Sequence, residues 1–583
     1  MTTPVPPGEE PAADESGTVA ASDAADAPAR PQSRGVTLPH FPWRLSTPGV
    51  AVAALFFAYS LYPSLLPRSG PVQGVLSGIT LMIGYALGVA AAWLWRYLQI
   101  PRRRRPELVT WIVVTLFLIG TTVAAIWRQV GWQNDVRALF DMDPVSPWHW
   151  VITAAVAAGV AAALLLLGRA VGWLLRLLAR WLNKIMPPRL AMVGGIAVIV
   201  VATSTVVSGV LVDGFFAGAN AIFSANDTTT EPGVTRPDST LRSGGPESLA
   251  DWDDLGRTGR RFVAQGPTTA ELAEVRGPEV VEPIRVYAGL KSAGTVEARA
   301  RLVLDELRRT GAFDRSVLVV ATTTGTGFLD APAIDSLEYL HGGDTAVVGV
   351  QYSYLPSWIS LLADQEAVQE TSQAVFSAIH TYWSDLPADQ RPELYLYGLS
   401  LGSYGVESVL NSIEIVNSPI DGALMSGPPF VNPLHSRLMD ERDPQSPPFQ
   451  PVVGDGATVR FRNLDTGFDT PDGPWGPTRI AYLQHNSDAI TFFSPNLAFA
   501  SPDWLQDGSR APDVSEKMVW RPVITMWQVA ADLVAAGDVP RGHGHNYSAR
   551  ENLDAWVAIT RPEDWTPELT ERIVAALDPS DRD

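Results

Sequence analysis

Five long apolar runs follow one another near the N-terminus and are separated by short polar stretches. Each run has about 20 residues, which is the length that an α-helix needs to cross a bilayer. A soluble helical domain would not need five such runs in succession. The runs are about Leu45–Pro67, Val72–Trp95, Leu108–Trp127, Trp148–Gly168 and Leu190–Val212. The pattern therefore predicts an all-α transmembrane domain with about five helices over residues 39–212.

From about residue 282 the pattern changes to short β-prone runs that alternate with helical ones. The predicted strands are Ile284–Tyr287, Ser316–Ala321, Ala346–Gln351, Glu393–Tyr397, Gly422–Met425 and Arg479–Leu483. The predicted helices are Val296–Thr310, Asp364–Trp383, Leu401–Ile413, Val519–Ala536 and Ala549–Thr560. This alternation predicts an α/β domain over residues 281–583, with a mostly parallel sheet covered by helices on both faces. Sites in such sheets form at the carboxyl ends of the strands.

Two further regions are polar. Residues 1–38 are rich in Pro, Ala, Ser and acidic residues and have almost no large apolar side chains, which predicts a disordered acidic tail. Residues 213–280 contain a run rich in Thr, Pro, Gly and Ser, which is typical of a linker and entry segment.

The net charge of −19 is unevenly distributed along the chain. Residues 39–212 hold fourteen basic and four acidic side chains, whereas residues 213–583 hold twenty-seven basic and fifty-two acidic ones. A basic helical region next to an acidic body indicates that the partner is a lipid bilayer with anionic headgroups. The lack of a basic patch on the body argues against nucleic-acid binding.

The basic residues also predict an orientation in the membrane. Arg96 and residues 102–105 lie between the second and third runs, and five basic residues with no acidic one lie between the fourth and fifth. By the positive-inside rule both loops are cytoplasmic. The prediction is a multi-pass protein of the plasma membrane whose α/β domain is extracytoplasmic.

Residues 393–403 read Glu-Leu-Tyr-Leu-Tyr-Gly-Leu-Ser-Leu-Gly-Ser, which predicts a strand, a tight turn and the start of a helix. The turn Gly398-x-Ser400-x-Gly402 matches the nucleophile elbow of serine hydrolases. Side chains at the two glycines would collide with the neighbouring strand and helix. A glycine-rich loop between packed elements could contain the same letters, so the assignment of Ser400 as nucleophile depends on this context.

An α/β-hydrolase places its acid and then its histidine after the nucleophile along the chain. The glycine-rich loop 540–547 offers His545, which we favour as the base, and His543 as the alternative. This loop contains no carboxylate, so a metal site there is not expected. Asp488, just beyond a predicted strand, is the favoured acid because its carboxylate could hold the imidazole in the right tautomer. The alternative acids are Asp465, Asp469 and Asp421.

An oxyanion hole needs two backbone N–H groups near the nucleophile. The first is expected from Leu401, the residue after Ser400. The second is expected from the glycine-threonine loop 321–328, at Thr324, Gly325 or Thr326. The Gly-x-Gly in this loop could suggest a dinucleotide site, but no third glycine follows at the required spacing.

An aromatic segment follows the third predicted strand of the α/β domain. Its aromatic residues Tyr352, Tyr354 and Trp358 are expected either to line an apolar substrate pocket or to pack beneath a long loop.

The remaining observations limit the chemistry. The chain has no cysteine, which excludes disulfides, thiolate metal sites and a cysteine nucleophile. No metal and no cofactor are expected. The middles of the apolar runs contain almost no ionisable residue, which argues against a channel or transporter. Gly84-x-x-x-Gly88 is therefore interpreted as a helix-packing contact.

Together, six segments resemble the membrane-anchored bacterial α/β-hydrolase family, in which an N-terminal multi-helix membrane domain precedes an α/β-hydrolase catalytic domain. These segments are residues 255–263, 323–327, 339–346, 351–358, 398–402 and 542–547. The resemblance implies an α/β-hydrolase fold for residues 281–583 and a nucleophilic Ser400. It does not fix a substrate.

The sequence thus predicts a membrane-anchored serine hydrolase of the esterase or lipase type. Ser400, His545 and Asp488 would cleave an acyl ester of a small molecule or a lipid, and the expected substrate class is a lipidic or cell-envelope ester. Acyl transfer to envelope lipids or sugars, or an inactive membrane-tethered binding domain, are the alternatives. The oligomeric state is not predicted.

Overall fold

The computed structural model describes residues 45–100, 108–184, 187, 194, 198, 213–464 and 466–577. The chain forms two compact units. The larger one contains residues 41–172 and 200–583 and holds the candidate site. The smaller one contains residues 1–40 and 173–199, and its described part is chiefly the end of a long helix.

Four apolar helices begin the described chain. They are α1 (Thr47–Ser60), α2 (Gly70–Tyr97), α3 (Leu108–Ala138) and α4 (His149–Leu182). Three of them are long and apolar enough to cross a membrane over Gly70–Tyr97, Ile112–Ala138 and His149–Leu182. The second, third and fourth predicted spans are therefore confirmed as helices of membrane-spanning length and composition.

The first predicted span is wrong as a crossing helix. Helix α1 has 14 residues, which gives roughly 21 Å of helix where the bilayer core needs about 30 Å. Pro63 and Pro67 lie in the non-helical chain that follows, where proline cannot donate a helical hydrogen bond. The fifth predicted span, Leu190–Val212, lies outside the described residues except for residues 194 and 198.

Helices α1 and α2 pack closely through glycines. A Cβ atom added to Gly84 would lie 2.8 Å from Phe56 Cβ, and one added to Gly88 would lie 2.5 Å from Pro48 O. Only glycine allows the two backbones to approach this closely. The prediction that Gly84 and Gly88 form a helix-packing contact is confirmed.

Seven strands form one sheet in the order β1-β3-β2-β4-β5-β7-β6, and each neighbouring pair is parallel. The strands are β1 (Ile284–Ala288), β2 (Val317–Thr322), β3 (Thr345–Val350), β4 (Glu393–Leu399), β5 (Gly422–Ser426), β6 (Val459–Arg462) and β7 (Arg479–Leu483). The predicted parallel sheet is confirmed, and β6 is an additional edge strand that the sequence did not predict.

Both faces of the sheet are buried beneath helices. In β4, Tyr395 and Tyr397 contact one core, while Leu394 and Leu396 contact the other, as the alternation of side chains along a strand requires. The α/β domain contains α8 (Val296–Arg309), α9 (Ala331–Leu340), α10 (Ser357–Ala363), α11 (Gln365–Asp385), α12 (Leu401–Leu410), α13 (Ile413–Asn417), α14 (Pro433–Glu441), α15 (Ala489–Phe492), α16 (Ile524–Ala535), α17 (Ala549–Thr560) and α18 (Pro567–Leu577).

The segment 213–280, predicted as a linker, is instead folded. It contains α5 (Asp213–Asp227), α6 (Gly256–Ala264) and α7 (Thr269–Arg276). The backbone of Arg242 forms an isolated parallel β-bridge with Arg285 of β1. The Ser243 hydroxyl donates to Glu306 Oε2 at 3.1 Å. Composition did not reveal this packing because polar side chains, which usually indicate exposure, here make buried contacts with the α/β domain.

Candidate active site

Ser400 lies at the sharp turn between β4 and α12. Its backbone has φ 54° and ψ −127°, a conformation that a residue with a side chain rarely adopts. The Ser400 N–H donates to Ser426 O of β5 at 2.9 Å, which fixes the turn against the neighbouring strand. The serine is 5% exposed. This geometry is that of a nucleophile elbow, which holds the serine at the carboxyl end of the central strand.

The two glycines of the motif allow the turn to form. A Cβ atom on Gly398 would lie 2.4 Å from the Gly402 carbonyl carbon. A Cβ atom on Gly402 would lie 2.5 Å from Thr322 O of β2. Both contacts involve backbone atoms that cannot swing away, which supplies the physical reason for the Gly-x-Ser-x-Gly spacing.

Asp488 lies five residues beyond the end of β7 and is fully buried. Its Oδ1 accepts the N–H of Ile490 at 2.9 Å and thereby caps α15. Its Oδ2 accepts His545 Nδ1–H at 2.6 Å and Tyr547 O–H at 3.0 Å. These hydrogen bonds hold the carboxylate in place and hold the imidazole with its Nδ1 toward the acid.

The outer nitrogen of His545 has no partner. Within the described residues, His545 Nε2 is buried and makes no hydrogen bond, including none to Ser400 Oγ. The ring lies against Gly427, where an added Cβ would be 2.5 Å from His545 Cε1. Gly427 directly follows Ser426, the acceptor of the Ser400 N–H, so the imidazole lies beside the elbow. Serine–histidine hydrogen bonds in empty sites are often long and shorten only when substrate binds.

The structure brings Asp488 to His545 and not to His543. The His543 ring instead packs on Phe140, which lies two residues after the end of α3, with ring centroids 4.7 Å apart. The buried Nδ1 of His543 has no hydrogen-bond partner in the described chain. Among the alternative acids, Asp421 caps the opposite end of the sheet by accepting Leu394 N–H at 2.7 Å. Asp469 is exposed, and Asp465 lies outside the described residues.

A buried ion pair between His485 and Glu551 contacts the loop 540–547, which carries His545. His485 Nδ1 donates to Gly544 O at 2.9 Å, and its Nε2 donates to Glu551 Oε1 at 2.6 Å. Burial lowers the pKa of His485, but Glu551 and the Gly544 carbonyl outweigh it and raise that pKa to about 9. Both ring nitrogens therefore carry protons at neutral pH, and the imidazolium links the loop to α17.

Sequence reasoning did not assign this pair. The Ser548-x-x-Glu551 capping box at the start of α17 is a sequence motif that can be recognised without a structure, and both of its hydrogen bonds form. Burial raises the pKa of Glu551, but His485 and Ser548 outweigh it and lower that pKa to about 2. The capping box thus signals the helix, whereas the pairing with a histidine 66 residues away has no local signal.

The predicted oxyanion loop is largely committed to its own hydrogen bonds. Thr324 N–H donates to Phe328 O at 2.9 Å, and Gly325 N–H donates to the Tyr352 hydroxyl at 2.7 Å. Thr326 O accepts hydrogen bonds from Thr258 and Gln351. The loop closes on itself as a tight turn, so the N–H groups of Thr324 and Gly325 are not available to an oxyanion.

Two backbone positions do lie at the elbow. Leu401 is the first residue of α12, where backbone N–H groups and the positive end of the helix dipole favour negative charge. Thr323, directly after β2, has its carbonyl oxygen 3.5 Å from where a Gly402 Cβ would lie. Thr323 therefore lies beside the start of α12, and it precedes the predicted positions 324–326 by one residue.

The three predicted pocket aromatics have different surroundings. Tyr352 is buried and packs with Leu401 and Tyr404, so it contacts the first turn of the helix that follows Ser400. Tyr354 lines a cavity of about 280 Å³ together with Phe223, Thr326 and other residues. Trp358 is 60% exposed. Within the described residues, no cluster of three or more His, Asp or Glu side chains could hold a metal ion.

Comparison with known proteins bears on this arrangement. None of the curated proteins matches the chain. The similar solved structures include two of an acetyl xylan esterase, one of them an iodinated complex. Each is 15% identical with a TM-score of 0.20, and the alignment covers 30% of this chain and 85% of the esterase chain. At this TM-score the likeness says nothing about the substrate.

Two family models match the chain in succession. The model described as the alpha/beta-hydrolase family N-terminus matches residues 61–267, and the model described as the alpha/beta-hydrolase family matches residues 284–573. Together they cover the three long apolar helices and the parallel sheet. The chain therefore belongs to the α/β-hydrolase family.

Proposed function

We propose that the protein is a membrane-anchored serine hydrolase that cleaves an acyl ester through Ser400, His545 and Asp488. The observation that carries this proposal is the pair of Asp488 Oδ2 and His545 Nδ1, 2.6 Å apart, beside a serine held at φ 54°. The hydrolase family membership supports a hydrolytic reaction. The membrane helices favour a lipid or cell-envelope ester as substrate.

The proposed reaction assigns a step to each of these three side chains. His545 Nε2 accepts the Ser400 hydroxyl proton as Oγ attacks the ester carbonyl carbon. Asp488 accepts Nδ1–H and stabilises the imidazolium that forms. The Leu401 N–H and the backbone near Thr323 are the proposed donors to the oxyanion. His545 then gives the proton to the leaving alcohol, and water releases the acyl group from Ser400 by the same steps in reverse order.

The proposed location is the plasma membrane, with the α/β domain outside. The residues from Leu108 to Trp127 cover roughly 30 Å of α3 at 1.5 Å per residue, which matches the hydrocarbon core. Trp127 is 85% exposed, and Trp148, directly before α4, is 69% exposed. Exposed tryptophans at these helix positions are typical of the membrane–water interface. The α3 residues beyond Trp127 then extend toward the α/β domain.

Active-site labelling tests the proposal. Purified full-length protein is treated with a fluorophosphonate probe, which reacts with activated serines. We expect wild type and Ser408→Ala to be labelled and Ser400→Ala to remain unlabelled. Ser408 is a matched control because it lies on the same helix and donates only to Gly405 O. Equal labelling of wild type and Ser400→Ala would refute the assignment of the nucleophile.

A further inference from the structure

The membrane domain does more than precede the α/β domain in sequence, because a buried part of it packs against that domain. The segment between α1 and α2, residues 61–69, is non-helical and almost entirely buried, and we call it the docking loop. The end of α3 and the residues after it, 128–140, form a second contact, which we call the stalk. Leu65 and Leu66 of the docking loop and Val136 and Phe140 of the stalk share one hydrophobic cluster with residues of segment 489–539.

A buried ion pair fixes the docking loop. Arg68 Nε and Asp532 Oδ1 of α16 are 2.6 Å apart, and both side chains are fully buried. Asp532 Oδ2 also accepts the Ser64 hydroxyl and the Leu65 N–H. Arg68 donates further to Gln73 Oε1 and to the Gln528 carbonyl. With so many of its charged atoms bonded, this pair holds a single register between the two regions.

The contacts of the docking loop and the stalk reach the two residues directly before His545, the proposed base. Leu66 lies against Gly544, where an added Cβ would be 3.2 Å from Leu66 Cδ2. Phe140 packs on the His543 ring at 4.7 Å. The His545 N–H donates to Ala536 O, and Ala536 belongs to the same hydrophobic cluster as Leu66 and Phe140. The membrane domain therefore contacts this loop directly and also its backbone anchor.

We propose that Leu66 and Phe140 are positioning residues, through which the membrane domain holds the 540–547 loop so that His545 can serve Ser400. This rests on the proposed hydrolase function. A single flexible tether would anchor the enzyme without making any of these contacts. Displacement of a catalytic group by about 1 Å can cost on the order of 100-fold in rate. The membrane domain is thus part of the active-site framework.

The test uses full-length protein in lipid nanodiscs and two readouts. The first is the rate constant of fluorophosphonate labelling as a function of pH. The second is hydrogen–deuterium exchange of a peptide covering residues 540–547. The variants are Leu66→Ala and Phe140→Ala, with Phe140→Leu as the conservative change. Phe57→Ala is the matched control, because Phe57 is buried in a membrane-domain cluster that contains no α/β-domain residue.

We expect fluorophosphonate labelling of each of the two alanine variants to be at least tenfold slower than labelling of wild type. The pH midpoint of the labelling rate should shift, and the 540–547 peptide should exchange faster. Phe140→Leu keeps apolar bulk and should recover most of the rate, and Phe57→Ala should label within about twofold of wild type. Wild-type labelling and exchange in both alanine variants would overturn the proposal. An equal loss in Phe57→Ala would also overturn it, because general destabilisation would then explain the result.

The two readouts separate this inference from the proposed function. If wild-type protein is not labelled at all, the serine-hydrolase assignment fails. Loop exchange still reports whether Leu66 and Phe140 hold the 540–547 segment. Faster exchange confined to this peptide, with the peptide covering β2 unchanged, supports positioning, and unchanged exchange refutes it.

Discussion

The His485–Glu551 pair predicts a specific dependence of stability on pH. The pKa of His485 is about 9 in the folded protein, whereas an unperturbed histidine has a pKa of 6.5. A folded-state pKa above the unfolded value means that the stabilisation is fully present below pH 6.5 and is lost as the pH rises through 9. The difference corresponds to about 3 kcal/mol at 1.36 kcal/mol per pKa unit.

Glu551→Gln removes the partner that raises this pKa. We expect the variant to be destabilised relative to wild type at pH 6, with a loss in Tm of about 6 °C if 1 kcal/mol shifts Tm by roughly 2 °C. By pH 9.5 the wild-type imidazolium has also lost its proton, so the difference between the two proteins should shrink. Thermal unfolding followed by tryptophan fluorescence at both pH values measures this difference.

The matched control is Glu271→Gln. Glu271 closes the same type of capping box with Thr268 at the start of α7, and its hydrogen bonds in the described part of the chain are those of the capping box. This control should lose a small amount of stability that is the same at pH 6 and at pH 9.5. The reasoning is refuted if the wild-type advantage over Glu551→Gln is unchanged between the two pH values.

Two further predictions concern the docking contact and the elbow. Arg68→Ala leaves Asp532 buried without its partner and should lower the free energy of unfolding by about 3–5 kcal/mol, measured by thermal or chemical unfolding. The control Lys517→Ala removes an exposed pair with Asp135 and should lower it by less than about 1 kcal/mol. Equal losses in the two variants would contradict this reasoning. Gly398→Ala should slow fluorophosphonate labelling at least tenfold because its Cβ meets backbone at 2.4 Å, whereas Gly537→Ala, whose Cβ meets nothing within 4 Å, should label like wild type. Normal labelling of Gly398→Ala would show that the turn tolerates a side chain.

Local patterns were sufficient where short-range physics decides the structure. Parallel strands buried on both faces appear as short apolar runs, and β7 was predicted at its observed bounds. The turn around Ser400 was predictable because a Cβ atom on Gly398 would collide with Gly402 within the same five residues, whereas the collision at Gly402 is with Thr322 O of β2. β6 was missed because its four residues include two arginines, which are usually exposed. Arg460 donates to carbonyl groups of the neighbouring loops, and Arg462 pairs with Asp554, 92 residues away.

Helix ends were predictable only where a cap or a proline marks them. α17 carries a complete capping box and was predicted at its observed bounds. α16 was expected from Val519 but begins at Ile524, because Pro522 and the positive φ of Val523 hold the preceding chain out of the helix. α1 was expected to continue to Pro67 and ends at Ser60. The end of α1 could not be recognised from the sequence because the apolar run continues through Leu65 and Leu66. These residues are buried against the α/β domain and not within a membrane helix.

The position of His545, the proposed base, shows why the remainder was not predictable. The sequence Gly542-His-Gly-His545 has little rigidity of its own, since glycines with positive φ are conformationally free in the unfolded chain. Its conformation must be imposed from outside. Asp488 and the His485–Glu551 pair do so from within the α/β domain, and the docking loop and the stalk do so from more than 400 residues earlier in the chain. Because no local pattern encodes a contact over that distance, the sequence could propose His545 as the base, whereas the contacts that hold His545 in place appear only in the fold.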